Sequence, residues 1–197
     1  MKKRIIGIDI DGVITDEYSS YNRNIWHHYL CNYIGEEIIR KENIYNIYDA
    51  YDLPKKILDE FLENKLKDIY IDLTPNEGVK EVLDDLKKEN FTIILITARD
   101  KKYRKITENW LEKYGIVYDK LIHRINKVPC AKEENIQLFI EDDQNNAESF
   151  LNNGIGIILF DKKHNRDSKD IKNKYRVKNW QEAEELIYNY YDIKMVI

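Results

Sequence analysis

The sequence predicts a doubly wound α/β fold: a parallel sheet with helices on both faces and a small helical insert after the first strand. Three observations predict it. Short apolar runs rich in isoleucine recur along the chain, amphipathic segments separate them, and about 60 residues after the first run carry helical spacing without a strand.

The apolar runs are RIIGID (4–9), FTIILIT (91–97), QLFIED (137–142) and GIIL (156–159). Continuous apolar runs of this length mark strands buried on both faces, as in a parallel sheet covered by helices. DKLIHR (119–124) is a weaker fifth strand and YRVKN (175–179) a candidate edge strand. Between them, residues 76–90 place Val79, Val82, Leu83 and Leu86 on one helical face. Residues 101–115 do the same with Tyr103, Ile106, Trp110 and Leu111, and Gly115 is a stop signal. Helices are also expected at 145–154, ending at Gly154, and at 180–191. Strand–helix alternation of this kind is the signature of a parallel sheet.

Residues 15–74 break the alternation. Ile25, Tyr29 and Tyr33 recur at four-residue steps within 22–38, and Pro54 opens a helical pattern over 53–66 through Ile57, Phe61 and Leu62. The expected domains are therefore a core of 1–14 with 75–197 and a helical insert of 15–74.

The chain has 197 residues, 32 Lys and Arg, and 36 Asp and Glu, so its formal net charge is −4. That balance gives no reason to expect a nucleic acid polymer as partner. Gly (7) and Pro (3) are too few for long flexible linkers. The basic start MKKR precedes only a short apolar run, broken by Asp9, which is not a signal peptide. No run approaches the roughly 18 apolar residues of a membrane-spanning helix. A soluble cytoplasmic protein is expected, with no membrane partner; a homodimer stays open. Cys31 and Cys130 match no metal-ligand spacing, and one pair is not a disulfide framework.

In an open parallel sheet, ligands bind beyond the carboxyl ends of the strands. The first strand ends in Asp9, with Asp11 two residues on; the second ends in Thr97; the third strong run ends in Glu141, Asp142 and Asp143, with Lys127 and Lys132 upstream. Singly, each has an ordinary structural explanation, such as a polar loop or an acid at a helix start. Together they crowd carboxylates on one rim, which is costly unless a cation or a shared proton offsets it. Hard oxygen ligands in small number suit Mg²⁺.

Four ordered motifs then carry a resemblance. DIDGVITD resembles the first motif of the haloacid dehalogenase superfamily, LITAR its second, Lys127 or Lys132 its third lysine, and FIEDD its acidic fourth. The resemblance implies a Rossmann-like core, with the 15–74 insert at the place of that superfamily's type-1 cap. Through GIDIDGVIT, LITARD, NKV with NIQLFIEDDQNNA, and ILFDKKHNR with RVKNWQEAEELI, the chain is further similar to the cytosolic type C 5′(3′)-deoxyribonucleotidase family.

What the resemblance implies is a Mg²⁺-dependent phosphomonoester hydrolase. Asp9 is the expected nucleophile, forming an aspartyl-phosphate, and Asp11 the acid and base. Residues two apart on an extended segment point the same way, so both carboxylates can face one phosphate. The expected metal ligands are Asp9, the Asp11 backbone carbonyl, Asp142, and Glu141 directly or through water. Thr97, the Ala98 backbone N–H and Lys127, with Lys132 as alternative, would bind the phosphate. Arg99 would reach the substrate or form a surface ion pair. Asp143 reads as an exposed acid at a helix start rather than as a group supporting the acidic pair. Tyr18, Tyr21, Trp26 and Tyr48 read first as core aromatics, being at helical spacing, and second as candidates for stacking on a base or sugar. His27 and His28, being adjacent, cannot share a helix face and are not read as metal ligands. A (deoxy)nucleoside monophosphate is the leading substrate. A sugar phosphate or other small metabolite is the alternative within the same chemistry, and a weakly active regulatory or partner-binding protein the alternative outside it. A receiver domain fits less well, because its acidic pair and its phosphorylated Asp lie on different strands.

Overall fold

In the computed structural model, which describes residues 3–18, 21, 23–166 and 175–193, six parallel strands form one sheet. They are β1 (Ile5–Ile8), β4 (Thr92–Thr97), β5 (Lys120–His123), β6 (Leu138–Glu141), β7 (Gly156–Phe160) and β8 (Arg176–Val177), in the spatial order β5-β4-β1-β6-β7-β8. All six lie where the sequence placed them, within two residues at each end. Winding runs outward through β4 and β5 on one side of β1, then resumes on the other side with β6. The reversal leaves a crevice at the carboxyl end of β1, where open α/β sheets bind ligands.

Side chains alternate across the sheet. Ile6, Ile8, Ile93 and Leu95 face one apolar layer; Ile5, Ile94 and Ile96 face the other. The first layer is closed by α4 (Val79–Lys88), α5 (Arg104–Lys113) and α8 (Trp180–Tyr190), through Val82, Trp110 and Trp180 among others. The second is closed by α6 (Lys127–Glu133) and α7 (Gln144–Asn152), through Cys130, Ala131, Ala147 and Phe150. Cys31 and Cys130 are both buried free thiols.

The insert is helical: α1 (Ile25–Ile34), α2 (Ile47–Ala50) and α3 (Lys55–Asp72). Pro54 caps α3, and the helix runs six residues beyond the expected 66, to Asp72. Ile25, Leu30, Leu58, Phe61 and Ile69 are buried and continuous with the first apolar layer of the sheet. Unexpected from sequence is a small antiparallel pair, β2 (Thr15–Asp16) with β3 (Thr74–Pro75), which joins the outgoing and returning chain. Two residues are too few to show an alternation. Helix α6 is equally unexpected, because Pro129 sits inside it; in the first turn a proline costs no hydrogen bond. Among the described residues, no helix is long and apolar enough to cross a membrane.

Candidate active site

The ladder extends one step past β1: the Asp9 N–H donates to the Ile140 carbonyl at 3.0 Å. That bond carries the Asp9 side chain to the rim between β4 and β6, level with Glu141 beyond Ile140. The chain then makes one wide turn over residues 10–14, closed by the Thr15 N–H to the Ile10 carbonyl. Gly12 sits in this turn at φ +74°, and a Cβ there would lie 2.1 Å from Asp142 Oδ2. Only glycine lets the backbone pass this close beneath the Asp142 carboxylate. Asn76 Nδ2 donates to the Val13 and Thr15 carbonyls at 2.6 and 3.0 Å, and Trp180 Nε1 to the Val13 carbonyl at 3.1 Å. The turn is therefore pinned from outside itself, by residues far from it in the chain.

Lysine is the centre of the cluster. Lys127 Nζ lies 2.7 Å from Asp9 Oδ2 and 2.9 Å from Glu141 Oε2, and all three side chains are buried. Lys132 is exposed and donates to Asn153 Oδ1 at 2.7 Å, so the two lysines left open by the sequence part company. The reason is helix geometry: Lys127 is the first residue of α6, at the sheet's carboxyl rim, while Lys132 lies more than a turn further on. Burial disfavours the Lys127 ammonium, but its two carboxylates outweigh that and raise its pKa.

Asp9, Glu141 and Asp142 bring three carboxylate oxygens within 4.8 Å of one another. Burial, and then Glu141, push the Asp9 carboxyl well above its ordinary range against the pull of Lys127. Burial likewise raises Glu141 against Lys127, and Asp142 against His164. Three carboxylates against one ammonium leave the cluster two negative charges in excess when all are ionised. Among the described residues, Asp142 Oδ1 is buried with no hydrogen-bond partner, and such orphans are rare in folded proteins. An all-oxygen donor set with an orphaned carboxylate oxygen and two uncompensated charges fits a hard divalent cation. Asp143 stands at a helix start as expected, though half-buried and not exposed: its side chain caps α7, accepting from the Asn146 N–H at 2.8 Å.

At the end of β4, Thr97 is fully buried and Ala98 borders the cavity. Thr97 Oγ1 accepts from the Arg99 N–H at 3.2 Å, which leaves its own hydroxyl proton to donate. Of the two readings of Arg99, substrate contact and surface ion pair, the structure shows an ion pair, but a buried one. Its side chain is 1% exposed, and its guanidinium forks onto Asp11, with Nε 2.9 Å from Oδ2 and Nη2 2.6 Å from Oδ1.

A cavity of about 500 Å³ opens over Asp11, Gly12 and Asp142. Its walls include Tyr18 and Trp26, two of the four stacking candidates, and also Tyr45, Tyr51 and Tyr70. Tyr21 and Tyr48 lie elsewhere: Tyr21 stacks on His28 and bonds Asp72, and Tyr48 bonds Asp59. Glu17 also borders the cavity, accepting from Trp26 Nε1 and Asn24 Nδ2, each at 3.1 Å. The loop after β7 adds Lys162, Lys163 and His164, the last with Nε2 3.1 Å from the Asp142 carbonyl. The DKKHNR stretch stands out in the sequence, but nothing in it says that the loop folds back over the acidic rim. A second group, His27 with Cys31 and Glu37, which the sequence did not single out, also brings its ligand atoms within 4.8 Å of one another, but Glu37 is exposed and already paired with Arg23.

The model of the family described as 5′ nucleotidase, deoxy (pyrimidine), cytosolic type C, matches residues 3–193 of this chain. A nucleotidase of Clostridium acetobutylicum is 33% identical over 187 residues, spanning 93% of each protein. Among solved structures, the fold resembles a HAD-superfamily hydrolase, subfamily IA, variant 1, from Geobacter sulfurreducens, at a TM-score of 0.58 and 15% identity over 94% of this chain and 96% of that one. It also resembles a haloacid dehalogenase-like family protein from Streptococcus pneumoniae, at a TM-score of 0.64 and 11% identity over 95% and 98%.

Proposed function

The chain belongs to the cytosolic type C 5′-nucleotidase family, and on that premise we propose that this phosphoric monoester hydrolase acts on (deoxy)nucleoside monophosphates, with Mg²⁺ and through an aspartyl-phosphate on Asp9. The observation that carries the proposal is the buried Lys127–Asp9–Glu141 cluster beside the orphaned Asp142 Oδ1. Asp9, Asp142, the Asp11 carbonyl and Glu141, directly or through water, would hold the metal. When bound, Mg²⁺ supplies charge neutralisation to the transferring phosphoryl group.

The chain's own groups divide the remaining work. Asp9 attacks phosphorus in line as the bond to the leaving oxygen breaks, and Asp11 gives that oxygen a proton. Asp11 then takes a proton from water as the hydroxide attacks the aspartyl-phosphate, freeing Asp9 and inorganic phosphate. The Thr97 hydroxyl, the Ala98 N–H and the Lys127 ammonium bind the non-bridging oxygens. Residues 15–74 act as a cap over the core of 1–14 and 75–197, and their aromatic side chains receive the nucleoside. Aromatic faces in a cavity of this volume support a planar base over a bare sugar. Cytoplasmic residence is part of the same proposal.

A panel of 5′- and 3′-monophosphates, ribo and deoxy, set against sugar phosphates with and without Mg²⁺, tests it. The expected result is Mg²⁺-dependent turnover with the highest kcat/KM on a nucleoside monophosphate. A clear preference for a sugar phosphate would overturn the substrate, and background rates throughout would overturn the chemistry.

A further inference from the structure

Asp11 depends on one partner. Among the described residues, its carboxylate makes hydrogen bonds to Arg99 alone. It stands in the turn after β1, with extended backbone at φ −74° and ψ 128°, and its side chain is 19% exposed. Nothing in the turn itself selects a rotamer for it.

Arg99, by contrast, is held from every side. Its backbone N–H bonds Thr97 Oγ1, and its carbonyl accepts from His123 Nδ1 at 2.9 Å. Nη1 donates to Thr107 Oγ1 at 3.3 Å, on α5. The Arg99 Cζ lies over the Tyr70 ring, 4.0 Å from its centre, and Tyr70 belongs to α3 of the insert. A planar fork, fixed by two core strands, one core helix and one insert helix, thus sets the orientation of a carboxylate that has no other anchor among the described residues.

We infer that Arg99 is the positioning residue for Asp11, and that Tyr70 carries this hold into the insert, so that the packing of α3 reaches the acid–base group as well as the substrate. The inference rests on the proposed roles of Asp9 and Asp11. Arg99 acts through Asp11 and not on the substrate; its signature is a loss in kcat with KM preserved.

The test pairs substitutions with steady-state kinetics on a nucleoside monophosphate and on p-nitrophenyl phosphate. Arg99→Lys keeps the charge and loses the fork; kcat should fall about 100-fold, the scale on which small misplacements act, with KM within about threefold. Tyr70→Leu should lower kcat about tenfold, and Tyr70→Phe, which keeps the ring, should restore it to within about twofold. In the Asp11→Asn background, followed on p-nitrophenyl phosphate, Arg99→Lys and Tyr70→Leu should cost nothing further, because both act through the missing carboxylate. Additive losses in that cycle, a raised KM at constant kcat, or unchanged kinetics would each overturn the inference. If Arg99→Lys does not fold, the Tyr70→Leu cycle decides the same question. An active Asp9→Asn would bring down the underlying mechanism instead; a dead Asp9→Asn beside a fully active Arg99→Lys brings down this inference alone.

Discussion

At the carboxyl rim of the sheet, the groups proposed to carry the chemistry stand at strand ends. Asp9 follows β1, Thr97 closes β4 and Glu141 closes β6. Across the cavity the insert contributes aromatic walls from scattered places: Trp26 in α1, Tyr51 after α2, Tyr70 in α3, and Tyr18 and Tyr45 from loops. The rim packs buried charges that depend on one another, while the insert wall sets aromatic rings among aliphatic side chains such as Leu62 and Leu66 and a few charged groups such as Glu17 and Arg40. Strand register brings rim residues together whatever the side chains are. The insert wall exists only when three helices pack correctly. The rim is therefore suited to fixed chemistry, and the wall to a choice of substrate that can change without disturbing that chemistry.

The sharpest way to break this division is at the rim. Asp9→Asn should abolish turnover by at least about 10³-fold while circular dichroism stays native. Appreciable Mg²⁺-dependent turnover by that variant would remove Asp9 as nucleophile. Next in size is Lys127→Met, which strands buried Asp9 and Glu141 without their cation. Removing one partner of a buried pair costs on the order of 3–5 kcal/mol, so urea unfolding should show a loss of that size, partly recovered by excess Mg²⁺. A loss below about 1 kcal/mol would mean that the cluster is not electrostatically coupled.

Asp142→Asn sharpens the contrast between function and stability. Burial holds the Asp142 carboxyl above its ordinary range. The folded chain therefore binds that proton more tightly than the unfolded chain, and stability falls as pH rises through this interval. At neutral pH, the Asp142→Asn substitution should raise the metal-free thermal midpoint by about 2–4 °C and weaken Mg²⁺ binding by at least about tenfold. Well below the carboxylate range the thermal gain should vanish. A lowered midpoint at neutral pH would contradict the charge-crowding account. The smallest effect is expected on the insert side. Lys163 and Glu42 join the loop after β7 to the insert at 2.9 Å, both about half exposed. Lys163→Ala should change stability by less than about 1 kcal/mol and move KM without moving kcat. A fall in kcat there would break the separation between wall and rim.

Much of the rim is legible without the structure. The isoleucine runs and two weaker segments locate all six strands, and the polar residues at the ends of those strands include Asp9, Asp11, Thr97, Glu141 and Asp142. The legible part rests on local rules: a strand's period, a strand's end, and the glycine that follows two aspartates. The choice between Lys127 and Lys132 is not legible, since both fall in a short helix without a clear pattern and only the facing of that helix separates them. Arg99 stands out in sequence without its role, because its partner Asp11 lies 88 positions away. Tyr51 and Tyr70 carry no signal at all, as no local pattern tells a ring that lines a cavity from one that fills a core.

By itself, then, the sequence determined the sheet, the order of its strands along the chain and the chemical identity of the rim, since these follow from periodicity and from where a periodic run stops. Only the tertiary structure decided which lysine meets the carboxylates, that Arg99 grips Asp11 against the ring of Tyr70, and which aromatic residues face the cavity. Those are contacts between segments far apart in the chain, set by the direction in which each helix presents its side chains.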